Sequence, residues 1–271
     1  MQGLGLGKEV TCYATHLWRC VMTIWLVCIS HTVSSKDQNA LAVTVPNSGS
    51  YTRAISTDNP ATQTFFDQGL RLAWGFYFPE SIASYQEASR HDPSHPMPYW
   101  GIAHAAGPNP NSRYAQMPDD PQGAGLAAIQ SALARIDRAT PMEAELIRAL
   151  HIFYDAERIP DPKARDQAYL AQMRALNAKF PDDPDIAALY AGSFMSIRRW
   201  DYWDKNGEAK GETLAAAQAL EHVINTGDPH PGVYHLHIHL IEASLEPERA
   251  MVSANALEAT LPIGGHVVHM P

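Results

Sequence analysis

Residues 60–271 carry apolar side chains three and four positions apart, interrupted by prolines and short polar breaks. That spacing is helical. It predicts helices over 99–106 and 121–138, from Pro141, Pro162 and Pro184 onward, and over 212–224. A proline in a helix's first turn loses no hydrogen bond, so these prolines mark starts. Pro231 and Pro247 open two more, joined at Leu245-Glu246 by a connection so short that the pair must be antiparallel neighbours. Ala250, Ala254, Leu257 and Leu261 give the second of them an apolar stripe. The count is about ten helices with no credible strand, and the fold class is all-α.

The stretch 65–93 is more specific. Phe65, Gly69, Leu72, Ser81, Tyr85, Ala88 and Pro93 fall on the large, small, aromatic and proline offsets of a tetratricopeptide repeat, a helix pair of about 34 residues. The small residues let two helices approach closely, and the proline stops the second. With helix pairs recurring downstream, the expectation is a tetratricopeptide-like α-solenoid of about five antiparallel helix pairs.

Composition narrows the class. With 271 residues and 45% hydrophobic content the chain can bury a core. The net charge is −9 with no basic cluster, so the electrostatic footprint of a nucleic-acid binder is missing. Lys8 and Arg19 precede an apolar run over 20–29, and small polar residues follow at 33–35. The run is short for a membrane span and reads as a cleaved signal peptide over 1–35. The expected product is exported, periplasmic or secreted, with no membrane span in the mature chain. Cys12, Cys20 and Cys28 would leave with the leader, so no thiolate remains as ligand or nucleophile. Residues 36–59, rich in Ser, Thr and Asn, read as a linker with little order, and the helical domain as 60–271.

Candidate chemistry concentrates at the end of the chain. Six of the 13 histidines lie in residues 228–271. At about 100° per residue, His235, His239 and Glu242 share one helix face and His237 points the other way. The antiparallel hairpin returns His266 and His269 toward His235 and His239. Four imidazoles and a carboxylate make the donor set of a zinc or copper site, with Glu242 as orienting group or general base. A pair of histidines on an apolar helix is equally a hydrogen-bonded core pair. Trp200, Tyr202 and Trp203 form either a stacking platform or groove packing. Asn109 and Asn111, in a long irregular loop over 107–120, either donate amides to a ligand or form turns. His104, one turn before that loop, reads as a core residue, and His230 as a turn residue.

The stretch 65–271 resembles a family of bacterial, mostly exported tetratricopeptide-repeat proteins. The resemblance rests on Phe-Phe-Asp-Gln-Gly-Leu-Arg-Leu (65–72), Tyr-Trp-Gly-Ile-Ala (99–103), Gly-Pro-Asn-Pro-Asn (107–111) and Trp-Asp-Tyr-Trp (200–203). It rests further on Pro-Gly-Val-Tyr-His-Leu-His-Ile-His (231–239) and Gly-His-Val-Val-His-Met-Pro (265–271). It implies a helical-repeat fold and export, and brings no activity with it. The family usually places Asn-His after the Gly-Phe of its first repeat, where this chain has Tyr77-Phe78. It also continues past Met-Pro, so the repeat domain is expected to be incomplete at its C-terminus, with an open end that favours self-association.

Two functions follow as expectations. One is an exported scaffold that presents a concave surface to a protein or peptide partner and carries a His-rich divalent metal site. The other is a metal-dependent enzyme, hydrolase or oxidoreductase, built on the histidine cluster.

Overall fold

In the computed structural model of the chain, residues 39–107 and 119–268 are described. The expected signal segment, the three cysteines, Asn109, Asn111 and His269 lie outside them. The described residues form α1 (Pro60–Trp74), α2 (Phe78–His91), α3 (Met97–Ala106), α4 (Pro121–Leu133), α5 (Pro141–Tyr154) and α6 (Pro162–Lys179). Then come α7 (Pro184–Arg198), α8 (Thr213–Thr226), α9 (Pro231–Ile241), α10 (Met251–Thr260) and the short α11 (Gly265–Val268). The described residues contain no strand, only an isolated antiparallel bridge between Trp203 and Ala209. No described helix is long and apolar enough to cross a membrane.

Local chemistry explains most helix starts. Proline occupies the first turn of α1 to α7 and of α9. Side chains of Asn59, Asp120, Thr140, Asp161 and Asp183 accept from first-turn N–H groups that have no partner within the helix. Thr140 and Glu143 complete a capping box. Two boundaries differ from expectation. The helix from Pro121 ends at Leu133 and resumes only as a 3-10 turn at Ile136–Arg138. The Arg135 side chain explains the break: it turns back to the Ser131 carbonyl and across to the Pro93 carbonyl. The helix expected from Pro247 begins as a 3-10 turn, Pro247–Ala250, before α10.

Each helix packs on the next, so α1–α2, α3–α4, α5–α6, α7–α8 and α9–α10 form consecutive pairs. In the first pair the small-residue logic is visible. A Cβ on Gly69 would lie 2.8 Å from the Tyr85 ring, and one on Gly101 of α3 only 2.3 Å from it. Ser81 Oγ donates to the Gly69 carbonyl at 2.7 Å. Gly69→Leu is therefore expected to cost roughly 1–3 kcal/mol through overpacking. A urea midpoint unchanged from wild type would show that α1 and α2 do not depend on this approach. On the last hairpin Leu245, Met251 and Val252 are exposed.

Residues 39–59 are not the low-order linker expected from their composition. They lie along α1 and bond through side chains rather than a strand ladder. Gln68 accepts from Val45 N and donates to the Val43 carbonyl (2.7 and 3.0 Å). Asp67 accepts from Arg53 N (2.9 Å), and Gln63 accepts from Ile55 N and donates to the Arg53 carbonyl. Glu143 of α5 takes both Ser56 N and Ser56 Oγ (2.8 and 2.7 Å). A polar, strand-poor sequence is ordered here because the polar face of α1 supplies the missing partners.

This strap, residues 39–59, also carries Tyr51 and Arg53 to a buried carboxylate that ties distant helices together. Asp185, in the first turn of α7, is fully buried and accepts four hydrogen bonds. Trp74 Nε1 and His230 Nε2 reach Oδ1, each at 3.0 Å. Tyr51 Oη (2.6 Å) and Arg53 Nη1 (3.0 Å) reach Oδ2. Burial alone would raise the Asp185 carboxyl; His230, Arg53 and Tyr51 more than offset this and hold it well below the usual carboxylate range. Through this group α1, α7 and the start of α9 meet, and α1 also packs directly on α9. Trp74, His104, Tyr169, Leu189, His235 and Leu236 close around a cavity of only about 10 Å³ between these helices. α9, which carries His235 and His239, is thus held from both sides.

Candidate metal centre

His230 starts α9. Its Nδ1 accepts from Val233 N (3.0 Å) while its Nε2 faces Asp185. This fixes the rotation of the helix, and with it the face that carries His235 and His239. The third histidine arrives on α11. Tyr77 clamps the turn before it: its hydroxyl donates to the Ile263 carbonyl (3.0 Å) and accepts from Gly265 N (3.1 Å).

His235 and His266 then face each other, Nε2 to Nε2, at 3.2 Å. Ring centroids are 4.8 Å apart for His235–His239 and 4.9 Å for His235–His266. One nitrogen from each of the three lies within 4.8 Å of the others. Two nitrogens on one tetrahedral zinc, each about 2.0–2.1 Å from the ion, stand about 3.3 Å apart. His235 and His266 already have that spacing, and a nitrogen of His239 lies within 4.8 Å of both.

His239 has the form a metal ligand needs. Its Nδ1 lies 3.0 Å from Glu242 Oε1, so the proton sits on Nδ1 and the lone pair on Nε2. That Nε2 is buried and has no hydrogen-bond partner among the described residues. An imidazole whose outer nitrogen is bound by a carboxylate and whose inner nitrogen is vacant fits a borderline metal.

Two aromatic rings wall the cluster. Phe76 meets His235 and His266 edge-on, at 4.8 and 5.0 Å. Trp200 stacks on His239 at 4.9 Å and is 49% exposed. Both rings sit on left-handed backbone, φ +64° at Phe76 and +68° at Trp200, with Arg199 at +40° beside it. Bulky residues rarely adopt this conformation, which costs on the order of 1–3 kcal/mol and concentrates where a ligand site is held in shape.

The structure thus brings together His235, His239, His266 and Glu242, with Trp200 at the mouth. It sets Tyr202 and Trp203 apart from ligand contact. Tyr202 is buried, and Trp203 Nε1 donates to the Leu240 carbonyl at 2.7 Å, so both fill the space between α7 and α9. His237 lies on the opposite face, buried, with Nδ1 at 2.9 Å from Ser253 Oγ and Nε2 at 3.4 Å from Glu221.

Four positioning residues escape the sequence. Phe76 supplies a wall and Tyr77 a clamp. His230 and Asp185, 45 residues apart in sequence, meet at the start of α9, a contact that no local spacing encodes. Among them only His230 left a trace, as one candidate cap before Pro231.

Comparison with protein-family models, curated proteins and solved structures found no match, so what the site can do is argued from its geometry.

Proposed function

We propose that this chain is an exported helical-repeat protein of tetratricopeptide type that binds zinc or copper through His235, His239 and His266. The observation that carries it is His239: Glu242 holds its proton on Nδ1, its Nε2 is buried with no partner among the described residues, and one nitrogen of its ring lies within 4.8 Å of nitrogens of two further imidazoles. His269, three residues beyond His266, is the proposed fourth ligand. With three imidazoles and a fourth position left to solvent, zinc lowers the pKa of bound water to about 7 and serves hydrolysis; closed by a fourth imidazole, it serves structure. The packing of Gly69, Ser81 and Tyr85 supports the tetratricopeptide assignment.

The test uses the indole stacked on His239. Copper bound at the triad should quench intrinsic fluorescence, and Trp200→Phe should remove most of that quench. Ligation needs neutral imidazoles, so affinity should fall as the pH falls. A quench that is independent of pH and unchanged in Trp200→Phe would place any copper elsewhere.

A further inference from the structure

A second site, separate from the histidines, opens between α4, α5, α6 and α7. It is a groove of about 490 Å³, within the size range of small-molecule sites. Leu126 from α4, Phe153 from α5 and Tyr169 from α6 give it apolar walls, and Gln122, Ser193 and Ser196 add neutral polar groups. Tyr154 also lines it, but its hydroxyl is spent on the Ala103 carbonyl at 2.6 Å, so it offers a ring face.

Three ionisable side chains face the groove, Arg165, Asp166 and Arg199. Arg165 is committed to structure: its guanidinium donates to the carbonyls of Phe153, Ile159 and Pro160. Asp166 is half-buried, and its carboxylate has no hydrogen-bond partner among the described residues. Desolvation raises its pKa, while Arg165 and Arg199 pull the other way. Arg199 gives only Nε to the Ser196 carbonyl, at 3.3 Å, which leaves its terminal nitrogens available. It is held on left-handed backbone at φ +40°, in the turn that aims the next residue, Trp200, at His239.

Asp166, with Arg165 and Arg199 near it but no donor bonded to it, can take an ammonium group, and the free end of Arg199 can take a carboxylate. One carboxylate is too few for a divalent metal, and one guanidinium beside it is too few for a polyphosphate. We propose that this groove binds a small zwitterion of amino-acid type with a bulky apolar side chain. Its ammonium group pairs with Asp166, its carboxylate with Arg199, and its side chain lies among Leu126, Phe153 and Tyr169.

Calorimetric titration of the full chain with L-phenylalanine, phenethylamine and 3-phenylpropanoate tests this directly. The zwitterion should bind about tenfold or more tightly than either single-charge analogue. Asp166→Asn should bring L-phenylalanine down to the affinity of 3-phenylpropanoate, and Arg199→Ala to that of phenethylamine. Arg199→Gln replaces the alanine variant if the latter melts below wild type. Titration of the same chain in the presence of saturating zinc should give the same affinity for L-phenylalanine, which separates this site from the metal centre. No heat with L-phenylalanine up to about 10 mM, or equal affinity for all three compounds, overturns the proposal. So does L-phenylalanine binding that neither groove variant weakens.

Discussion

Asp185→Ala is expected to destabilise the fold by about 3–5 kcal/mol, a large share of a domain's total stability. The substitution removes an acceptor that satisfies Trp74, His230, Tyr51 and Arg53 at once. It leaves the Arg53 guanidinium buried with Asp183 as its remaining carboxylate partner. The strap, α1 and the start of α9 all lose an anchor, so the effect should reach the histidine face as well as the global midpoint. The pH dependence has a definite sign. A carboxyl held below its ordinary value in the folded state contributes stability above its unfolded pKa, near 4. That stability is lost as the pH falls through the folded value. Urea titrations at pH 7 and pH 3 should therefore show a smaller gap between wild type and Asp185→Ala at the lower pH. A loss under about 1 kcal/mol at pH 7 would mean that the four contacts are replaceable by solvent.

The helices were legible because their signals are local. Pro121, Pro141, Pro162, Pro184 and Pro231 each open a helix, and the Gly69–Tyr85 offset anticipates a packing contact that the fold makes. His235 and His239 were legible for the same reason, since one helix turn separates them. The strap was not. Its partners are side chains of α1, and a Gln or Asp on a helix surface looks the same whether it meets water or another backbone. The walls of the site were not either. Phe76 and Trp200 reach the imidazoles through left-handed backbone that their residue types disfavour. Of the three aromatics in the 200–203 loop, only the fold separates the exposed Trp200 from the packed Tyr202 and Trp203.

Zinc or copper is expected to raise the stability of the wild-type chain by about 2.7 kcal/mol when free metal stands 100-fold above its dissociation constant. The gain depends on His235, His239 and His266, whose nitrogens converge, and not on His237, which faces Ser253 and Glu221. His237→Ala should lower the baseline, since it removes a buried imidazole, yet keep the response to metal.

Melting curves of wild type, His235→Ala, His239→Ala, His266→Ala and His237→Ala, each with and without zinc, therefore decide whether the imidazoles hold a metal. A metal centre gives a zinc-dependent rise in midpoint for wild type and His237→Ala and no rise for the other three. Core or surface histidines give no rise in wild type, or a rise that His235→Ala, His239→Ala and His266→Ala retain, and either result contradicts the proposed site.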